Sequence, residues 1–435
     1  MTIEELKSKK KILIIGFGVE GKAIYEFLKT HCPHSELGIA DKKDGDNYLG
    51  KQKDYDLAIK SPGVRPDLVT IPYTTATNIF LSNYRGKIIG VTGTKGKSTT
   101  SVLIYEMLKK QTSNVYLGGN IGEPAINFLD SLNDQSWIVL ELSSFQLQDI
   151  QKSPHIAVVL MITADHLDYH KDIKEYVEAK RNILRFQKAD DIAIINRDHP
   201  ASNESDIATV GKIFYVSTER KTYNACYVEG ESMWINKSGK NEKIIDIQDI
   251  LLLGKHNLEN VSAAILTAKI VGVQTKRIVE VLKTFRGLEH RLEYVGERYG
   301  IQFYNDSLST IPDAAIEAIE AFDGRVETLI AGGFDRGTDY DEFGKYLVKS
   351  SVRNLILFPP SGERIWKAIL AVGGEEKIKK FDVTSMHQAV FLASEETSSG
   401  NVCLLSPAAP SFGMFKDYKE RGEQFKKEVQ SLKLS

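Results

Sequence analysis

Three cysteines in 435 residues, Cys32, Cys226 and Cys403, with no C-x-x-C pair among them, argue against a disulfide framework and a zinc knuckle. A reducing compartment fits that scarcity. Charge of one sign is also missing: 56 Lys and Arg against 58 Asp and Glu give a formal net charge of -2. Such a balance offers no broad attraction for nucleic acid or an acidic membrane. No segment reaches the ~18 consecutive apolar residues of a membrane span. The basic N-terminal stretch MTIEELKSKKKILIIG carries an apolar run too short for a signal peptide, with no cleavage-like end, and reads as a strand. Short repeats and low-complexity tracts are absent, and so is the N-K-x-D pattern that reads guanine. The expectation is a cytoplasmic protein with no nucleic-acid partner and no membrane insertion.

What is present is a chain too long for one core, with 42% hydrophobic residues to fill two or three domains. The runs ILIIG, LGIAD, KIIGVTG, WIVLEL, IAVVLMI, IAIIN, VETLIAGG, NLILF and NVCLLSP alternate with amphipathic helical stretches. That alternation predicts an α/β architecture with mainly parallel sheets. Joints are expected at NYRGK, residues 83–87, and FRGLEHRLEYV, residues 285–295, giving domains 1–86, 87–286 and 287–435. Rising polarity over residues 201–250, with strand-like IFYVS and CYVEG, suggests an antiparallel excursion.

The stretch GVTGTKGKSTT, residues 90–100, follows an apolar strand and leads into a helix expected to open near Ser98. Backbone N–H groups of Gly93, Thr94, Lys95 and Gly96 would converge there on an anion. Lys97 would neutralise phosphate oxygens and Ser98 or Thr99 could hold Mg²⁺. The spacing is tighter than the usual P-loop, because Val91 stands where its first glycine belongs. The plain alternative is a glycine turn that only lets strand and helix pack. ATP is the favoured nucleotide.

Upstream, Gly16, Gly18 and Gly21 have G-x-G-x-x-G spacing, and Asp41 follows about 20 residues later. Alone this reads as NAD binding; with a second phosphate loop downstream, another phosphate-bearing ligand is favoured. The KSPGVRPD turn could close around it. Glu141, after WIVL, should emerge at the carboxyl edge of the phosphate-loop sheet, where a carboxylate suits Mg²⁺. His166 and His170 are four apart, but Leu167 stands where H-E-x-x-H needs its Glu. Lone histidines are usually structural. Lys180, by pattern alone, looks like a solvent-facing helix lysine.

Taken in order, TGTKGKST, GGNIG, ELSSFQL, DHLDYH, GKHNLENVSAA, EHR and LLSPAAPSFGMFKDYKERGEQF resemble the motif series of the Mur ligases, the ATP-dependent amino-acid ligases of peptidoglycan synthesis. The resemblance runs through essentially the whole chain. It implies an N-terminal Rossmann-like domain for the UDP of the substrate, a central P-loop ATPase domain and a C-terminal Rossmann-like domain that closes over ATP and receives the amino acid. The short phosphate loop then matches the family's own form, and the first glycine turn resembles a UDP cradle.

The implied chemistry is phosphorylation of the alanyl carboxylate of UDP-N-acetylmuramoyl-L-alanine, then attack by the amine of glutamate and loss of phosphate from a tetrahedral intermediate. The resemblance assigns Lys97 to the transferring phosphate. It gives Ser98, Thr99 and Glu141 to one Mg²⁺, His166 to a second, and Lys180 to a carbamate facing the metals. Gly18, Val19, Glu20, Asp41, Ser61 and Gly63 would meet uridine and diphosphate; Asn120, Ser143, Ser144 and Gln146 would meet the muramoyl-alanine part. Asn257 and Asn260 would address adenine, with Arg291 and Asp306 reaching ATP after closure. Thr310, Arg336, Ser411 and Tyr418 would hold glutamate. A monomer is expected.

Some positions depart from the family pattern. Leu308 replaces a lysine in NDSLST, Arg336 stands where a lysine is usual, and Tyr418 replaces phenylalanine. An arginine fork can take a carboxylate in bidentate fashion. D-glutamate is the expected amino acid and L-glutamate, added in part of a divergent branch, the alternative. A folylpolyglutamate synthase shares the central motifs but lacks a domain like residues 1–86. A nucleotide-dependent regulator without catalysis would have little use for Lys97, Glu141, His166 and Lys180 together.

Overall fold

A computed structural model describes residues 1–254 and 256–432. The chain divides into two compact units, Met1–Ile250 with His256–Thr284, and Leu251–Lys255 with Phe285–Ser435.

The first unit holds two sheets. The smaller is built from β1 (Lys11–Ile15), β2 (Glu36–Ala40), β3 (Leu57–Lys60) and β4 (Tyr73–Thr74), in the order β2-β1-β3-β4 and parallel throughout. Strand side chains alternate between faces. In β1, Ile12 and Ile14 accordingly join the main core while Leu13 and Ile15 pack with Ala40, Ala58 and Val64 on the other face. Gly21 lets the helix Val19–His31 approach the preceding turn, since a Cβ there would strike the Gly16 carbonyl.

The larger sheet comprises β5 (Lys87–Thr92), β6 (Val115–Gly119), β7 (Trp137–Glu141), β8 (Ile156–Val159), β9 (Ile192–Asn196), β10 (Lys212–Ser217), β11 (Ala225–Glu229), β12 (Ser232–Lys237) and β13 (Lys240–Asp246). Their order is β13-β12-β11-β10-β9-β8-β5-β7-β6, parallel up to β11 and antiparallel through β12 and β13. That meander, over residues 225–246, meets the excursion expected over residues 201–250 in part, since β10, the IFYVS stretch, pairs in parallel with both neighbours. β5 lies between β7 and β8, so the chain passes from β5 to β6 and β7 on one side and then crosses to β8 on the other. Such a switch point opens a crevice at the carboxyl ends of the strands, and the loop after β5 sits there. Ile12, Phe27, Phe80, Ile88, Ile138 and Ile183 share one core cluster, which joins the two sheets. Each such side chain contributes about 1.5–3 kcal/mol by leaving water.

The second unit has β14 (Glu293–Arg298), β15 (Ile301–Asn305), β16 (Val326–Gly332), β17 (Asn354–Phe358), β18 (Lys379–Asp382) and β19 (Val402–Leu405), in the order β14-β15-β19-β16-β17-β18. Only the β14–β15 pair is antiparallel. Both faces are covered, one by a core containing Leu329, Leu355 and Leu404, the other by one containing Ile330, Ile356 and Leu405. Two-sided burial explains why β16, β17 and β19 read as continuous apolar runs.

Candidate active site

β5 ends at Thr92, and the helix Lys97–Lys109 opens one residue earlier than the sequence suggests. Two glycines make the intervening turn possible. Gly93 has φ 158°, and a Cβ on it would lie 2.8 Å from the Leu160 Cβ; Gly96 has φ 83°, and a Cβ there would run into Asn260. Asn260 donates from Nδ2 to Asn257 Oδ1 at 2.8 Å, and its Oδ1 accepts from Thr100 Oγ1 at 3.4 Å. The HNLEN segment is therefore part of the loop's wall. The Lys97 ammonium folds back onto the loop, donating to the carbonyls of Gly93 at 3.0 Å and Thr94 at 2.8 Å. Ser98 is partly exposed on the first helical turn and Thr99 is buried.

Lys180 corrects the surface reading: it is 2% exposed on the helix Ile173–Arg185. Its ammonium donates to the Gly93 carbonyl at 2.8 Å and lies 4.7 Å from the Tyr176 ring centre. Burial, and then the charge of Lys97, push its pKa well below the usual lysine value, against the opposing pull of Asp165 and Glu141. Helical periodicity had no way to register that this face turns toward a loop 87 residues away.

Glu141, 1% exposed at the end of β7, is in register with Val91 of β5. Its Oε1 accepts from Asn120 Nδ2 at 2.7 Å, while Oε2 is buried with no hydrogen-bond partner. An unsatisfied buried carboxylate oxygen is costly. A divalent cation would satisfy it, so the residues fit Mg²⁺. His166 has φ 52° and a half-exposed ring resting 4.9 Å from Phe145, with the Asp165 carboxylate 3.6 Å from Nε2. His170 is buried; its Nε2 meets Ser144 Oγ at 3.0 Å and its ring stacks on Phe145. The two histidines of DHLDYH thus have different environments. Sequence reasoning missed Phe145, whose contacts with both histidines depend on tertiary packing.

The first glycine turn is a second cradle. Gly16 has φ 85°, Gly18 caps the helix Val19–His31, and Ser61 Oγ donates to the Gly16 carbonyl at 2.7 Å. Asp41 accepts from the N–H groups of Phe17 at 2.6 Å and Lys43 at 3.0 Å, which hold its pKa below the ordinary value. Its carboxylate braces the turn. Val19 is 74% exposed beside it, and a Cβ at Gly18 or Gly63 would meet open space. Ser143 caps the helix Ser144–Leu147 in a reciprocal box with Gln146, and Gln146 Nε2 donates to Glu20 Oε1. Lys60, unremarked in the sequence, is buried and paired with Asp149 at 2.8 Å.

In the second unit, Asp306 is buried and accepts from Ser406 Oγ at 2.7 Å and the Leu292 N–H at 3.3 Å; burial raises its pKa to about 6. Arg421, fully buried and also missed, donates to Ser307 Oγ at 3.0 Å, the Ser307 carbonyl at 2.8 Å and the Ala409 carbonyl at 3.0 Å. Ser307 Oγ donates to the Tyr418 carbonyl at 2.8 Å. These bonds tie the segment that carries Asp306 and Thr310 to those carrying Ser411 and Tyr418. The Arg336 guanidinium lies 5.9 Å from the ring centre of Phe412, next to Ser411. Leu308 is exposed. Glu289, His290 and Glu423 also cluster, but the Lys426 ammonium, 2.7 Å from Glu289 and 2.6 Å from Glu423, already supplies their cation.

A glycine turn at a switch point, backed by a buried lysine and a carboxylate fit for Mg²⁺, is an arrangement suited to nucleotide-dependent phosphoryl transfer. Residues 91–268 match the Mur ligase middle domain, and residues 290–409 the Mur ligase glutamate ligase domain. The UDP-N-acetylmuramoylalanine–D-glutamate ligase of Thermoanaerobacter pseudethanolicus is 36% identical, over 99% of this chain and 100% of its own. Its counterpart from Acetivibrio thermocellus is 34% identical, over 97% of each chain. Among solved structures, the UDP-N-acetylmuramate-alanine ligase MurC of Thermotoga maritima superposes with a TM-score of 0.62 at 18% identity, over 97% of this chain and 100% of that one, a likeness of fold. This chain belongs to the Mur ligase family, whose members are ATP-dependent ligases. No helix among the described residues is long and apolar enough to cross a membrane.

Proposed function

We propose that the protein joins D-glutamate to UDP-N-acetylmuramoyl-L-alanine with conversion of ATP to ADP and phosphate. The observation that carries this reading is the pairing of the Gly93–Lys97 loop with Glu141, whose buried Oε2 lacks a partner. The alanyl carboxylate attacks the γ-phosphorus of ATP, ADP leaves, and an acyl phosphate forms. The amine of glutamate then adds to the acyl carbon, the C–O bond breaks with its electron pair leaving on phosphate, and the nitrogen gives up a proton as the amide forms. Lys97 holds and neutralises the transferring phosphoryl group, with the helix N-terminus supplying N–H donors. Glu141 with Ser98 or Thr99 would hold one Mg²⁺, and His166 a second; bound there, Mg²⁺ neutralises crowded phosphate oxygens.

Lys180 is proposed to react as the free amine with CO₂, forming an N–C bond and releasing a proton. The resulting carbamate would stand as an anion toward the metals. Its burial, and the push from Lys97, favour the uncharged amine that this addition needs. A carbamate carbon signal from ¹³C-bicarbonate, lost in K180A, is the expected outcome.

Gly18, Val19, Ser61 and Gly63 would receive the UDP, with Asp41 bracing the turn; Asn120, Ser143 and Gln146 would receive the muramoyl-alanine portion. Asn257 and Asn260 would serve adenine, and Arg291 and Asp306 the ATP phosphate and ribose. Thr310, Arg336, Ser411 and Tyr418 would hold glutamate. Domain limits of 1–86, 87–286 and 287–435, a monomeric state and a cytoplasmic location complete the reading. The second reading is L-glutamate, favoured by Leu308 in place of the lysine. Phosphate release from Mg-ATP and glutamate should require UDP-N-acetylmuramoyl-L-alanine; release driven instead by a folate would move the protein to the folylpolyglutamate branch.

A further inference from the structure

Glu20 sits in the first turn of the helix that would face a diphosphate, where a carboxylate would repel its ligand. Its side chain turns elsewhere, accepting a hydrogen bond at Oε1 from Gln146 Nε2 across 126 residues of sequence. Gln146 is buried, and its amide has only one workable orientation. Oε1 accepts from the Ser143 N–H at 3.0 Å and from Ser143 Oγ at 3.2 Å. A flipped amide would set its NH₂ against the Ser143 N–H. Nε2 must therefore point toward Glu20, and of its two hydrogens one goes to that carboxylate.

The packing behind the pair is tight. A cavity of about 10 Å³, lined by Glu20, Ala76, Ile126, Leu140 and Gln146 among others, has room for about one water. Burial raises the Glu20 pKa, while the Gln146 amide and Lys60 oppose that shift. Truncating Glu20 would take the acceptor from the Gln146 nitrogen, and a buried donor without a partner is costly, so the carboxamide would lose the anchor at that end.

We infer that Glu20 is a positioning residue: it orients the Gln146 carboxamide so that the second N–H can meet an acceptor on the nucleotide-sugar substrate, and itself makes no contact with the diphosphate. This rests on the substrate reading above. It links the first glycine turn to the segment after β7, so that a residue of the smaller sheet sets the binding geometry of the larger one.

The test is steady-state kinetics of the full-length protein with Mg-ATP, glutamate and UDP-N-acetylmuramoyl-L-alanine. E20A should raise KM for the UDP substrate about tenfold, with kcat and the KM for ATP nearly unchanged, as expected for loss of one charge-assisted hydrogen bond. E20D keeps the charge but loses the reach, and should resemble E20A. E20Q keeps an acceptor at the right distance and should return KM to within about threefold of wild type. Q146A and E20A combined should cost no more than Q146A alone, because the two act as one unit. Additive effects, an unchanged KM in E20A and E20D, or a loss confined to kcat and thermal stability would overturn the inference. If E20A fails to fold, E20D and E20Q carry the comparison. A wild-type enzyme that does not use the UDP substrate would bring down the functional reading as well, a result distinct from an active wild type with indifferent variants.

Discussion

Lys180 donates to the carbonyl of Gly93 at 2.8 Å, and the same carbonyl receives Lys97 at 3.0 Å. Burial, and after it repulsion from the Lys97 ammonium on the same oxygen, holds the Lys180 pKa well below the usual lysine value. A loop that needs Gly93 for its backbone shape also uses that residue's oxygen to hold Lys97 and the buried lysine in register.

Replacing Lys97 by Ala removes the charge proposed to meet the transferring phosphate and two hydrogen bonds to the loop. Phosphoryl transfer should fall by about 10³-fold, while the circular dichroism spectrum stays that of the wild type. Near-normal turnover in K97A would contradict the phosphate-cradle assignment.

Glu141→Gln preserves shape and the Asn120 contact but removes the anionic oxygen left unpartnered in the interior. Even residues that merely orient metal ligands cost about tenfold or more in metal affinity when changed. The Mg²⁺ concentration needed for half-maximal rate should therefore rise by at least that factor, and EDTA should abolish wild-type turnover. An unshifted Mg²⁺ titration would remove Glu141 from the metal site.

Gly96→Ala should be damaging for two separate reasons. An L-residue at φ 83° costs about 1–2 kcal/mol, and the added methyl would collide with Asn260. A lowered Tm together with a raised KM for ATP is expected; a KM for ATP equal to wild type would separate Asn260 from the nucleotide.

His199 Nε2 lies 2.9 Å from Glu259 Oε2 in HNLEN, and that hydrogen bond raises the histidine pKa above its usual value. Because the folded-state pKa is raised, the protonated pair stabilises the fold fully below the unfolded value of about 6.5. The contribution disappears as pH climbs through the folded value. The Tm difference between wild type and H199Q should be largest near pH ~5.5 and shrink as pH rises past the folded value. A gap independent of pH would mean the pair holds no proton-linked energy.

Much of this could be read from sequence because it is local. Apolar strands such as IAIIN and NLILF pair in parallel with their neighbours, and G-T-K-G-K predicts an anion turn by backbone chemistry alone. Lys180, Arg421 and Lys60 could not be read that way. Each is a long cation that amphipathic patterning assigns to water, yet each is buried against carbonyls or a carboxylate supplied from distant segments. Asp41 illustrates a subtler gap: spacing marked it as a ligand contact, and the fold shows it bonded to the N–H groups of Phe17 and Lys43.

Product formation tests the proposed ligation most directly. Purified protein, Mg-ATP and UDP-N-acetylmuramoyl-L-alanine would be incubated in parallel with D-glutamate and with L-glutamate, and the products weighed by mass spectrometry. A glutamyl adduct with D-glutamate, matched by equimolar phosphate and absent with L-glutamate, is the expected result. An adduct with L-glutamate alone would contradict the assigned stereochemistry and point to Leu308, and no adduct with either would contradict the ligation itself.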